Sequence, residues 1–418
     1  MITEPFQQLA RSAAASAGLP DLPFLVLPGA FETLEPDTVR SLVDRHFDEL
    51  LAQLGASPGV GQPEATRPPA QSAAWPAPAA DQLDVADFYA WSLEQRAGDG
   101  LPVIAPTPDL VASFVAASRR PADDVLAVLP PRWGAATVEK IAANAVMAGC
   151  LPEYAPVVLG AVAGMGDPAL DLESISTTTN PGALMVMVGG PICQRLGING
   201  SYGCLGPGWR ANATIGRAVA LIQRNIGGML PGEVSSSTHA QPGRYTFCLA
   251  ENEEESPWSP YRADLGFGVD ESTVTVVAVI SRCSLSHRGS LGEAPEDYLN
   301  FYGAAAGPLL SEVLDAIPRG LLFCVNPTHA RRLAEYGWGK WEVRERLYVE
   351  ANSHPVDRYT TLLRRDLERR GLVVNGRLSV LPSPAEVTVW VAGGSGGHHS
   401  VLFSTRRESI TRHLERSD

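Results

Sequence analysis

Residues 386–403 read EVTVWVAGGSGGHHSVLF. The run EVTVWVA is rich in β-branched and aromatic residues, as a buried strand is, and it ends on Gly393, Gly394, Gly396 and Gly397. Glycines free to take positive φ let successive backbone N–H groups converge into an anion-binding nest. Gly394, Ser395, Gly396 and Ser400 are therefore candidate substrate-binding positions, with His398 and His399 beside them. The motif is neither a Walker A loop nor a GxGxxG turn opening a helix, so a nucleotide is not implied. A plain tight turn between two strands is the structural alternative.

Working outward, further strands are expected at LMVMV (184–188), RYTFCLA (244–250), STVTVVAVI (272–280) and LLFCV (321–325). Helices are expected after Thr107-Pro108, after Thr137 and after Asn212 as cap; in the last, Ile215, Val219, Ile222 and Ile226 keep the helical period before Gly227-Gly228. Strands and helices alternate loosely, which predicts an α/β fold of mixed α/β layers over residues 83–418. No internal repeat of 20–50 residues is visible.

The N-terminus is organised differently. Residues 1–53 suggest helix, strand (LPFLVLP) and a second helix opened by Pro36 and Asp37, a small N-terminal α/β fragment. One strand cannot bury both its faces, so a partner chain is expected to complete the fragment. Residues 54–82 form a linker by composition: 14 of the 27 residues 55–81 are Ala or Pro.

Of 418 residues, 45% are hydrophobic and 19% charged, which argues against a chain disordered throughout. A net charge of −13 opposes phosphate backbones and anionic lipid, so neither nucleic acid nor membrane is expected as partner. No 18-residue apolar stretch occurs, and the chain reads as cytoplasmic. Six cysteines lack any zinc-like spacing and suggest reduced core thiols.

Two more segments could carry chemistry. GSYGCLGPGWRANATIGRA (200–218) brings Arg210 and Asn212 to a helix start that favours anions, with Cys204 in the loop as a nucleophile or an inert thiol. Asn144 could line the same pocket or be core. In FCLAENEEESPW (247–258), a strand runs into Glu251, Asn252 and Glu253. Carboxylates at a strand's C-terminal end can move protons, or hold a divalent metal together with His239 and His399. An acidic surface loop is the plain alternative. His287, His329 and His354 stand alone and read as ordinary polar or capping residues.

Five runs together resemble a family of mostly uncharacterised bacterial proteins associated with UGSC-type (seleno)proteins: DGLPVIAPT (99–107), ATVEKIAANAVMAGCLPEYAPVVLGAV (136–162), GPGWRANATIGRA (206–218), FCLAENEEESPW (247–258) and AGGSGGHHS (392–400). The likeness spans roughly residues 84–412. Residues 10–51 look like the back half of a UGSC domain, yet no GSC occurs anywhere in the chain. The resemblance implies thiol- or selenol-assisted redox or carbon–heteroatom (C–S or C–N) bond chemistry on a small anionic substrate, with the reactive Cys or Sec on a UGSC-motif partner contacting residues 1–53. The family pattern departs at Trp209 (Asn expected), at His398 (Lys-like) and at Arg282-Cys283-Ser284-Leu285 (Gly-Pro-His-Asn-like). Two rivals stand beside it: a stand-alone metal-dependent lyase or hydrolase using His239, Glu251, Glu253 and His399, and a non-catalytic scaffold for a small partner.

Overall fold

The computed structural model describes residues 36–55, 85–286, 295–310 and 319–414 except 397, with scattered positions among the first 28. The linker expected at 54–82 lies outside the described residues beyond its first two, and so do most of the expected first helix and His287. The helix α1 (Pro36–Gly55) opens where Pro36 and Asp37 predict.

Six strands form the central sheet: β1 (Ala183–Gly189), β2 (Cys248–Ala250), β3 (Ser272–Ser286), β4 (Arg319–Val325), β5 (Val387–Val391) and β6 (His399–Leu414). Their order is β5-β4-β6-β3-β1-β2; the outer pairs run parallel and the inner ones antiparallel. The mixed sheet and its helices agree with the α/β expectation. RYTFCLA is a strand only over its last three residues, because residues 242–244 turn as a 3-10 helix.

Strand side chains alternate between faces. Leu184, Val186 and Val188, with Val274, Val276 and Ala278, pack on α2 (Pro108–Ser118), α3 (Val138–Ala148), α4 (Ala155–Met165) and α5 (Arg210–Asn225). Leu321, Phe323, Val325, Val387 and Val389 pack on α6 (Pro295–Leu310), α7 (Pro327–Glu335) and α8 (Lys340–Ala351). Met185, Met187, Val277, Leu322, Trp390 and Phe403 share the opposite face and form a third cluster. That face is concave, because the two sheet edges meet: the Asn252 N–H donates to the Val391 carbonyl (2.8 Å) and Trp390 Nε1 to the Ala250 carbonyl (3.3 Å). The sheet thus curls almost into a barrel, with helices outside.

Thr107 and Thr137 cap α2 and α3 as expected, accepting from Leu110 N (3.4 Å) and Lys140 N (3.3 Å). The start of α5 differs from expectation. The helix begins at Arg210 with Trp209 at the cap position, and Asn212 lies inside it. Gly216 in α5 permits a close approach to the residues leading into β2; a Cβ there would stand 2.5 Å from Phe247 N and from Thr246 Oγ1. Gly216→Ala gains about 1 kcal/mol of helix propensity but must push backbone apart, so a net loss of about 1–3 kcal/mol is expected in denaturant unfolding.

Candidate active site

The chain leaves β2 through residues 251–255, which run past the end of β1 to the edge of β5. This junction, the glycine turn between β5 and β6, and the start of α7 form one neighbourhood. Asn252 joins them: its Nδ2 donates to the Gly393 carbonyl (3.1 Å) and to Glu255 Oε1 (3.2 Å). The Gly393 N–H donates to the Gly200 carbonyl (2.8 Å), so the loop before α5 closes the same corner.

Glu251 is buried, 6% exposed, and both its carboxyl oxygens lie near the Tyr261 N–H (3.0 and 2.9 Å). Burial pushes the carboxyl up to about 8, and the charge of Glu253 adds to this; the Tyr261 N–H and the cations Lys340 and Arg262 pull the other way without prevailing. Burial therefore favours the protonated form of the Glu251 carboxyl. It has the electrostatics of a proton donor. Glu253 is engaged elsewhere: it pairs with Arg262 and accepts from the Gly190 N–H (2.7 Å). Arg262 in turn donates to the Val269 carbonyl (2.9 Å), so the pair pins a turn.

At the glycine turn, the Ser395 hydroxyl donates to Glu255, and Arg331 of α7 reaches both Ser395 and Glu255. The Ser395 hydroxyl, then the Asn252 amide, hold the Glu255 carboxyl below the usual carboxylate range. The Gly396 N–H donates to Thr328 Oγ1 (2.7 Å), and Tyr202 Oη to the Ser395 carbonyl. Beneath the turn, Asn326 caps α7 through the His329 N–H (2.9 Å) and donates to the His399 carbonyl (2.7 Å). His329 Nδ1 lies 2.8 Å from Asn326 Nδ2 and 2.9 Å from Ser400 Oγ, and all three residues are buried. Ser400 thus anchors the turn from below. His398 and His399 are exposed.

Other expected site residues lie apart from this corner or are fully engaged. Arg210 turns back to Gly149, donating to its carbonyl from Nε (3.2 Å) and Nη2 (3.1 Å), and so terminates α3 instead of clamping an anion. Asn212 accepts from Asn199 N (2.8 Å) and donates to the carbonyls of Asn199 (2.9 Å), Cys248 (3.2 Å) and Cys204 (3.3 Å). That leaves it a staple between loop and strand. Asn144 bonds the Lys140 carbonyl (2.9 Å) and Asn225 (2.7 Å) in the helical layer, its core alternative. Cys204 is buried and its thiol held up by desolvation; burial likewise raises Cys193, Cys248 and Cys324, and Cys150 to about 12.

The expected metal set is not assembled. Thr238 bonds Thr179 ahead of β1, which places the exposed His239 near that end, whereas Glu251 follows β2 level with the other end, about 20 Å along the strand. Among the described residues no group of three or more His, Cys, Asp and Glu side chains could hold a metal ion. The stand-alone metal-dependent reading loses its ligands with them.

Sequence reasoning missed Tyr202, Glu255, Tyr261, Asn326, Thr328 and Arg331. Asn326-Pro327 carries the cap-then-proline signature of a helix start and could have been found. Compared with protein-family models and with curated proteins, the chain matches none. No helix among the described residues is long and apolar enough to cross a membrane.

Proposed function

We propose that this chain is one subunit of a heteromeric enzyme acting on a small anionic molecule, with a UGSC-type partner completing residues 1–53 and supplying the reactive Cys or Sec. The N-terminal piece carries the reading. There Ile2–Thr3 pairs in parallel with Val26–Leu27 over two residues, while Leu19, Leu22, Phe47 and Leu51 remain 44–51% exposed. Parallel strands are stable when covered on both faces by several neighbours, and two residues of ladder offer neither. Phe47 and Leu51, four apart on α1, give one helix face an apolar surface of the kind a partner covers.

The thiols support the other half. Five of the six are held protonated by burial, so thiolate chemistry needs a sulfur or selenium from outside these five. In this scheme Glu251 delivers or removes a proton during redox or carbon–heteroatom bond chemistry. The substrate's anionic group meets Arg331 and Ser395, displacing the Glu255 carboxylate that pairs with them.

The test is co-expression of the tagged chain with a small protein bearing a strand followed by GSC or its Sec equivalent. The two are expected to purify together, with activity confined to the complex. Phe47→Glu with Leu51→Glu should weaken capture by at least a hundredfold, since each buried side chain contributes about 1.5–3 kcal/mol. An active, stable monomer overturns the proposal, and full activity of a Glu251→Gln complex would reduce this chain to a scaffold.

A further inference from the structure

We infer that Lys340 is a positioning residue for Glu251, its ammonium being the counter-charge that the carboxyl meets once it has given up its proton. This rests on the proposed role of Glu251 in proton transfer and names the group that lets it act more than once. Two contacts bring the start of α8 against the acid. Trp258 Nε1 donates to the Trp338 carbonyl (2.9 Å). The Lys340 Nζ, on a residue only 8% exposed, lies 2.6 Å from Asp264 Oδ2. Asp264 belongs to the single helical turn Tyr261–Asp264, whose first N–H lies against both oxygens of Glu251. Three residues of helix rise only about 4.5 Å, so the turn that holds the acid also holds the ammonium.

Charge pairing in this corner leaves the two groups to each other. The carboxyls of Glu251, Glu253 and Asp264 stand with the cations of Arg262, Lys340 and Arg344. Arg262 pairs with Glu253, and Arg344 Nη2 reaches Asp264 Oδ2 at 2.8 Å. Lys340 shares Asp264 with Arg344, and its Nζ makes no aligned hydrogen bond there, so its N–H donors stay open to another oxygen. Glu251 is the carboxyl of the three without a cation of its own. Burial is the largest influence on it and raises it, and the charge of Glu253 adds to that; the Tyr261 N–H, Lys340 and Arg262 act downward. The thiols that feel its charge, Cys193 of the helix Ile192–Leu196 and Cys324 of β4, are held protonated by burial. A buried carboxylate alone is far costlier than one beside a fixed cation, so Lys340 makes the ionised form of Glu251 reachable.

The experiment is denaturant unfolding of the full chain, without a partner, from pH 5 to pH 10. The fall in stability with rising pH ends where the folded Glu251 ionises. Lys340→Met should move that end point upward by about one pH unit, a tenfold rise in the carboxyl's affinity for its proton. Lys340→Arg should keep the wild-type end point. Arg344→Met takes a cation from the same Asp264 and should also leave it in place, a contrast that lost packing alone would not give. In a Glu251→Gln background, Lys340→Met should move nothing. Circular dichroism confirms folding, and Lys340→Gln carries the same expectation where Lys340→Met does not fold. An end point unmoved in a folded Met or Gln variant, an equal shift from Arg344→Met, or a shift that survives Glu251→Gln would each overturn the inference. Because the chain is tested alone, failure to capture a UGSC-type partner overturns the proposed function and leaves this result standing.

Discussion

Glu251→Gln should flatten the fall in stability that the wild-type chain shows between pH 4.5 and about 8. In the folded state burial raises this carboxyl from 4.5 to about 8. The unfolded chain ionises first as pH rises, so over that window the folded state holds the extra proton. Stability from this group is complete below pH 4.5, declines through the window and is lost above about 8. Linkage over that window is worth roughly 3–5 kcal/mol. Gln cannot ionise and still offers an oxygen to the Tyr261 N–H. Thermal unfolding at pH 5 and pH 9 should therefore show a gap for wild type that shrinks by several degrees in the variant. An unchanged gap would mean that Glu251 does not keep its proton in the fold. In the proposed complex, the same change should lower turnover by about 10²–10⁴-fold, the usual worth of a positioned acid or base. A loss in the pH gap without a loss of turnover would separate a structural proton from a catalytic one.

The strands were legible where the sequence is β-branched and continuous. STVTVVAVI, LLFCV and EVTVWVA reappear as β3, β4 and β5. The strand β6 was hidden because SVLFSTRRESITRHL interrupts its apolar residues with a charged bulge, so no period of two runs through it. The helix α4 was hidden for the opposite reason. APVVLGAVAGM is apolar all round, and a helix buried on every side has no polar stripe to mark its period.

Of the candidates read from the sequence, Glu251 and Asn252 at the end of a strand and Ser395 and Ser400 at the glycine turn lie in one neighbourhood of the fold. Arg210 and Asn212 are instead engaged by carbonyls 8 to 61 residues away that no local pattern displays. The contacts that gather the corner, Asn252 to Gly393 and Ser395 to Glu255, span about 140 residues and exist only because the sheet curls until its edges touch.

The largest stability loss from a single charge deletion is expected at Arg217. From α5 its Nε and Nη2 each donate to an oxygen of Asp99 at 2.8 Å, and Nη2 also reaches the Leu101 carbonyl (3.1 Å). Both side chains are little exposed, 13% and 11%, so this fork-to-carboxylate pair differs from the solvated ion pairs on the outer helices. Burial alone would raise the Asp99 carboxyl, but the Arg217 hydrogen bond and charge outweigh it and hold it below its ordinary value. A lowered folded value means that the pair's contribution is present above the unfolded value of 3.8 and fades as pH falls below it. Arg217→Ala leaves a buried carboxylate with its cation gone, a loss of about 3–5 kcal/mol at neutral pH. The double change Arg217→Met with Asp99→Leu removes the charge along with its partner and should recover most of that loss, because desolvating the pair had cost nearly as much as its attraction returned. Denaturant midpoints of the single and double variants decide it. If the double variant is as unstable as Arg217→Ala, the residues are held by shape and not by charge. If Arg217→Ala costs under 1 kcal/mol, water reaches the pair and it belongs with the surface ion pairs.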